Sequence, residues 1–179
     1  MESKRTQNDP FEILGIEPVF PVNEGLLRAS WLRATGANHP DRAQDPEEAQ
    51  VRLSAINRAY RTLSDPEAAA NALLERSGED AANRSKALPD GFLIEMLEIR
   101  DELEEAKATK DPERIAKLEA WADEQRGMWT ARVTEQFAAH SEGNDQRDAI
   151  RESLNAWRYI ERLIEQLDPE YSVGAGDFG

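Results

Sequence analysis

Four Asp-Pro pairs, Asp9-Pro10, Asp45-Pro46, Asp65-Pro66 and Asp111-Pro112, stand where amphipathic patterns begin in this chain. Each marks a helix start. The carboxylate caps free backbone N–H groups, and a proline at the first helical position is preset in φ with no needed N–H to lose. The first pair predicts a short helix from Phe11 to Leu14, closed by Gly15 in the left-handed conformation. Pro18 and Pro21 then keep the chain extended until a second helix, from Asn23 to about Thr35, with Leu27, Trp31 and Ala34 on its buried face and Arg28 and Arg33 on the other. A third, from about Pro46 to Leu63, carries Leu53, Ile56, Tyr60 and Leu63 at helical spacing, and a fourth, from Pro66 to about Arg76, brings Leu73 and Leu74 to dock on it. The second and third helices are expected to form an antiparallel hairpin.

Residues 77–89, with Gly78, Asn83, Ser85 and Pro89, read as a linker. Beyond it the pattern predicts helices from Asp90, as N-cap, to about Ala108, from Pro112 to Phe137, and from about Gln146 to Leu167. Their stripes are Phe92, Met96, Ile99, Leu103 and Ala106 on the first, Ile115, Leu118, Ala122, Trp129 and Val133 on the second, and Ile150, Leu154, Trp157, Ile160 and Ile164 on the third. Three such helices joined by short loops bury one another as an antiparallel bundle. Residues 1–8 and the Gly-containing tail 168–179 are expected to be flexible. The organisation expected is therefore all-α, with one small helical domain over 9–76 and another over 90–167. The dominance of Ala, Leu, Glu and Arg and a charged fraction of 32% agree with helix rather than sheet.

A formal net charge of -14 speaks against general affinity for nucleic-acid phosphates or anionic membranes, which need clustered Lys and Arg. With no cysteine there is no disulfide, thiolate metal site or thiol nucleophile. His39 and His140 alone make no zinc site, and His140 reads most simply as a favourable charge at a helix C-terminus. Neither a Ser-His-Asp spacing nor a glycine-rich phosphate loop after a strand is present, so no catalytic residue, metal or cofactor is assigned. No apolar run reaches membrane-spanning length and the N-terminus lacks a secretion signal, which makes a soluble cytoplasmic protein the expectation.

The helix from Asp90 has apolar residues left over after its stripe is drawn. Leu93, Ile94 and Leu97 lie off that line, and Ile94, Leu97, Glu98 and Asp101 share a face through the i, i+3, i+4, i+7 relation. Either broad packing buries Leu93 and Leu97 within the bundle or under the first domain, or the patch is a docking surface rimmed by charge. Tyr159 sits beside the stripe of the last helix, as a half-buried tyrosine or as an extension of the patch. Trp121, Trp129 and Trp157 read as core, and Glu102, Glu104 and Glu105 as a solvated face.

The tripeptide His39-Pro40-Asp41 falls at the break between the second and third helices, between Arg28, Trp31 and Arg33 on one side and Tyr60-Arg61-Thr62-Leu63 on the other. In that setting it resembles the signature loop of a J-domain. The resemblance extends from Asp9-Pro10-Phe11-Glu12-Ile13-Leu14-Gly15 through His39-Pro40-Asp41-Arg42 to Ile56-Asn57-Arg58-Ala59-Tyr60-Arg61-Thr62-Leu63. After the linker, Phe92-Leu93-Ile94-Glu95-Met96-Leu97-Glu98-Ile99-Arg100-Asp101-Glu102-Leu103 looks like the segment that opens the C-terminal domain of one J-protein branch, the iron-sulfur cluster co-chaperones of the HscB type.

That resemblance implies an L-shaped, two-domain, non-enzymatic co-chaperone. His39, Pro40 and Asp41, with Arg28 and Arg33, would engage a DnaK-like chaperone of the HscA type and stimulate its ATPase. Leu93, Ile94, Leu97, Glu98, Arg100, Asp101 and Tyr159 would hold an IscU-like scaffold. The chain departs from the family pattern at Asn38, where an aromatic is usual, and at Gly36, where a basic or helix-forming residue is common; both changes are expected to loosen the end of the second helix. Arg42 replaces Lys, Ala43 a common Phe, and Ile94 a Met, while the cysteine-bearing N-terminal segment of many eukaryotic relatives is missing. Two other readings stay open on the sequence. One is a J-protein serving a general DnaK with a different client, and the other is a degenerate J-like helical interaction protein.

Overall fold

The computed structural model describes residues 9–38, 45–79 and 84–165, apart from the side chain of Ile164. These residues form α1 (Pro10–Leu14), α2 (Glu24–Ala37), α3 (Pro46–Ser64), α4 (Pro66–Arg76), α5 (Phe92–Thr109), α6 (Pro112–Ser141) and α7 (Arg147–Glu165), with no strand among them. The chain parts into two compact units between Gly78 and Glu79. His39, Pro40, Asp41, Arg42, Ala43 and Asn83 lie outside the described residues, as do 1–8 and everything after Glu165, Leu167 included.

All four Asp-Pro pairs start helices, and in each the aspartate Oδ1 accepts from the backbone of the first turn: from Phe11 N at 2.9 Å, Glu47 N at 3.0 Å, Ala68 N at 2.8 Å and Glu113 N at 2.9 Å. A cap of this kind stabilises a helix by about 1 kcal/mol. Asn23 caps α2 in the same way through Leu26 N. Gly15, at φ 61, closes α1 in the left-handed region that disfavours other residues, and its N–H reaches Glu12 O.

In the first unit α2 and α3 are joined by Trp31. Its Nε1 donates to Asn57 Oδ1 at 2.9 Å, and its ring lies 4.9 Å from that of Tyr60. Leu27, Ile56, Ala59 and Leu63 are buried between them with Phe11, Leu14, Leu73 and Leu74 from the flanking helices. Trp31 and Ala34 are half-buried, and the better-buried neighbour on α2 is Ser30, which periodicity of apolar residues passes over. Ser30 Oγ donates to Leu14 O at 2.8 Å, so a hydroxyl ties α2 to α1. Arg76 at the end of α4 pairs with Asp9 and Glu12, fastening α4 to α1; Glu12 first, then Asp9, hold its guanidinium above the ordinary range.

In the second unit the three stripes meet as a bundle. Phe92, Met96, Leu103 and Ala106 of α5, Leu118, Ala122, Trp129, Val133 and Phe137 of α6, and Ile150, Leu154, Trp157, Ile160 and Leu163 of α7 are buried. Glu161 is buried with its partners in place: Arg126 Nε and Nη2 meet its two oxygens at 2.8 and 2.9 Å, and Trp157 Nε1 donates to it at 3.1 Å. Two expectations are corrected here. Asp90 does not cap α5; Gly91 occupies that position at φ 79 and supplies no side-chain bond. Trp121 is half-buried rather than core. His140 stands in the last turn of α6, as expected, with its Nδ1 3.3 Å from Gln146 N and 3.8 Å from Asp145 Oδ1. Part of the stretch 77–89 is also fastened rather than free, because Asn155 of α7 holds the carbonyls of Ser85 and Ala87.

Candidate functional site

No described helix is long and apolar enough to cross a membrane, and the candidate sites read from the sequence fall on α5 with Tyr159 of α7, and on α2 with the stretch after it. The clearer one lies on α5. At about 100° per residue, taking Phe92 as the centre of the buried stripe, Leu93 falls on the flank and Leu97 and Ile94 toward the opposite side. The exposures agree: Phe92 is 4% and Met96 3% exposed, while Leu93 is 53%, Ile94 70% and Leu97 61%. The apolar residues left over by periodicity therefore face solvent, and burial of Leu93 and Leu97 within the bundle is excluded. Glu98, Arg100 and Asp101 are exposed beside them. Arg100 lies 3.8 Å from Glu104 one turn on, a solvent-exposed pair that holds it loosely.

Tyr159 is placed differently. It is half-buried, packs on the cluster of Leu103, Ala106, Leu118 and Leu163, and meets Phe92 edge-on with centroids 5.6 Å apart. Its ring supports α5 from the core side, while the other six residues share the helix itself.

On the first unit, Arg28 and Arg33 are both exposed on α2. Arg33 is oriented, since its Nη2 donates to Ser30 Oγ at 2.8 Å. Gly36 and Asn38 do not end α2 early. α2 runs through Gly36 to Ala37, and Asn38 then caps it, its N–H reaching Ala34 O and Thr35 O at 3.2 Å and its Nδ2 reaching Ala34 O at 2.8 Å. A side chain that bonds the last free carbonyls does what an aromatic could not. The chain thus enters the His39-Pro40-Asp41 stretch from an intact helix end.

Two family models match the chain. One describes the DnaJ domain and covers residues 9–71; the other describes the HSCB C-terminal oligomerisation domain and covers residues 88–168. A co-chaperone protein HscB homolog of Burkholderia thailandensis is 30% identical over 163 residues, covering 88% of this chain and 90% of its own length. Another, of Ralstonia nicotianae, is 31% identical over 171 residues, with 88% of this chain and 95% of the relative covered. The chain belongs to the HscB family of co-chaperones.

Solved structures agree on the fold. Human co-chaperone HscB superimposes with a TM-score of 0.76 at 23% identity, over 90% of this chain and 81% of that one. HscB of Vibrio cholerae gives 0.69 at 27% identity, over 90% and 96%. The N-terminal unit is a J-domain and the C-terminal unit an HscB C-terminal domain. This HscB-family chain is accordingly a J-domain co-chaperone rather than an enzyme, working with a DnaK-type chaperone and an IscU-type scaffold in iron-sulfur cluster assembly.

Proposed function

We propose that the two units divide the co-chaperone's work: the J-domain over 9–76 engages the ATPase of an HscA/DnaK-type chaperone, and the domain over 90–167 carries an IscU-like scaffold, with 77–89 between them. The chaperone contact is assigned to His39, Pro40 and Asp41, with Arg28 and Arg33 offering positive charge from α2. The scaffold contact is assigned to Leu93, Ile94, Leu97, Glu98, Arg100 and Asp101, with Tyr159 bracing α5 from behind. We place this work in the cytoplasm; fractionation of cells tests that.

The observation that carries the reading is the second face of α5. A helix that has already buried one apolar stripe gains nothing within its own bundle from three more large apolar residues in water. A rim of Glu98, Arg100 and Asp101 around them has the make-up of a docking surface, apolar at the centre and charged at the edge. In mechanism, the J-domain biases the chaperone toward hydrolysis, which is a coupling free energy between two sites, and the α5 patch raises the scaffold's local concentration at that chaperone.

The division of labour is tested with Asp41→Asn in the full chain. Stimulation of the chaperone's ATPase should vanish while scaffold affinity stays unchanged. Loss of both functions in a folded variant would contradict the assignment.

A further inference from the structure

Glu79 opens the second unit, and α7 holds it. The Arg151 guanidinium grips both its oxygens through Nε and Nη2, and the two side chains are only 11% and 7% exposed. Arg84 Nε lies 3.3 Å from the same carboxylate. Burial first, then the charges of Arg151 and Arg158, pull the Arg84 guanidinium below its ordinary range, so this corner of a strongly acidic protein is a compact cationic cradle with Glu79 inside it. One turn along α7, Asn155 Nδ2 donates to Ser85 O at 3.0 Å and to Ala87 O at 2.9 Å. Ser85 Oγ in turn accepts from Ala87 N at 3.1 Å.

The other side of the junction is equally tied. Ser77 N and Oγ both donate to Leu73 O at 3.0 Å, and Gly78 N donates to Glu75 O at 3.1 Å, which extends the hydrogen bonding of α4 to Gly78. Gly78 itself has φ 99, a value that only glycine takes freely. The last backbone bond of α4 thus reaches Gly78, and the anchored Glu79 is the next residue in sequence.

We propose that Glu79, Arg151 and Asn155 form a latch that shortens the tether between the J-domain and the scaffold-holding domain from residues 77–89 to a single joint at Gly78. The latch itself stands on the contacts above; its functional role rests on the two-surface reading. A tether sets the effective concentration at which one bound partner meets the other, and that concentration falls roughly as the −3/2 power of tether length. Releasing the whole stretch would therefore lower it by up to about fiftyfold, and freeing Glu79 alone, with Asn155 still holding Ser85, on the order of tenfold. Glu79, Arg151 and Asn155 are positioning residues that need touch neither partner.

The test uses the full chain with Asn155→Ala, Glu79→Ala, and a six-residue Gly-Ser insertion between Gly78 and Glu79. Lys86 lies inside the latched stretch, so the rate of trypsin cleavage after it reports the latch directly, and chaperone ATPase against scaffold concentration reports the tether. Both point variants should speed cleavage after Lys86 on the order of tenfold; Glu79→Ala should also raise the half-saturating scaffold concentration by a similar factor, while Asn155→Ala, which leaves Glu79 on Arg151, should not, and scaffold-free stimulation should be unchanged in both. The insertion should raise the scaffold requirement without speeding cleavage, which separates tether length from domain stability. Unchanged cleavage in both point variants would overturn the latch. Faster cleavage in Glu79→Ala with a scaffold requirement unmoved there and in the insertion would overturn its role. No scaffold response in the unmodified chain would overturn the docking assignment and the tether role with it, while the cleavage rates decide the latch alone.

Discussion

Truncating Leu93 and Leu97 together to Ala is the sharpest test of the α5 surface, and its size follows from exposure. Leu→Ala removes three carbons, worth about 0.8 kcal/mol each on full burial. Leu93 keeps 53% and Leu97 61% of its surface in water, so only that share remains to be gained when a scaffold covers them. The expected loss is then about 1.3 kcal/mol for Leu93 and about 1.5 kcal/mol for Leu97. If the two losses add, the double variant loses about 3 kcal/mol, or roughly a hundredfold in Kd. Folding should be almost untouched, because the same exposed carbons contribute little to the bundle core; Met96→Ala, at 3% exposure, should instead destabilise it by about 2–5 kcal/mol. Isothermal titration against the scaffold, beside thermal melts of each variant, measures both quantities. A double variant that melts like the parent and binds within about threefold of it would refute the reasoning, since no geometry of docking over α5 leaves both leucines in water.

Three further outcomes follow from single contacts. Ser30→Ala removes the hydroxyl that joins α2 to Leu14 O and orients Arg33, and should cost about 1–3 kcal/mol in a denaturant melt, with weaker chaperone stimulation from the freed Arg33. Gly36→Ala should raise the melting temperature, by about 0.5–1 kcal/mol of stability, because Gly36 sits inside α2 and nothing lies within 4 Å of an added Cβ. Asp145 is held well below the ordinary carboxylate range by the Arg147 side chain and then its backbone N–H, so it contributes stability above about pH 3.9 that is lost as pH falls through the depressed value. The pair is exposed and screened by solvent, so Asp145→Asn should melt only slightly lower than the parent at neutral pH, and that gap should close in acid.

How far the fold was legible follows from where its information sits. The Asp-Pro pairs work within one turn of themselves, so all four helix starts can be read from neighbours alone. Contacts between distant residues left no such local mark. Ser30 looks like a polar interruption of an apolar face until Leu14 O is known to lie 2.8 Å away. Asp90 looks like an N-cap because it is an aspartate before a periodic run, yet the left-handed turn at Gly91 takes the position. Asn38 looks like a departure from a pattern, and its amide turns out to bond Ala34 O.

The same distinction separates the two functional features. The α5 surface is legible because a helix writes its faces in sequence order: Leu93, Ile94 and Leu97 can be seen to be surplus once Phe92, Met96, Ile99, Leu103 and Ala106 have been given a partner. The latch is illegible for the opposite reason. Glu79 and Arg151 stand far apart in the chain, and Gly78, Asn83, Ser85 and Pro89 carry every local sign of a loose connector. What holds the described part of that stretch is that Asn155 falls one turn from Arg151, so that one face of α7 presents a guanidinium to Glu79 and an amide to the carbonyls of Ser85 and Ala87. Tether length in such a co-chaperone is therefore set by residues of a bundle helix as much as by residues of the linker. Substitutions at Arg151 should shift scaffold delivery while leaving each docking surface whole.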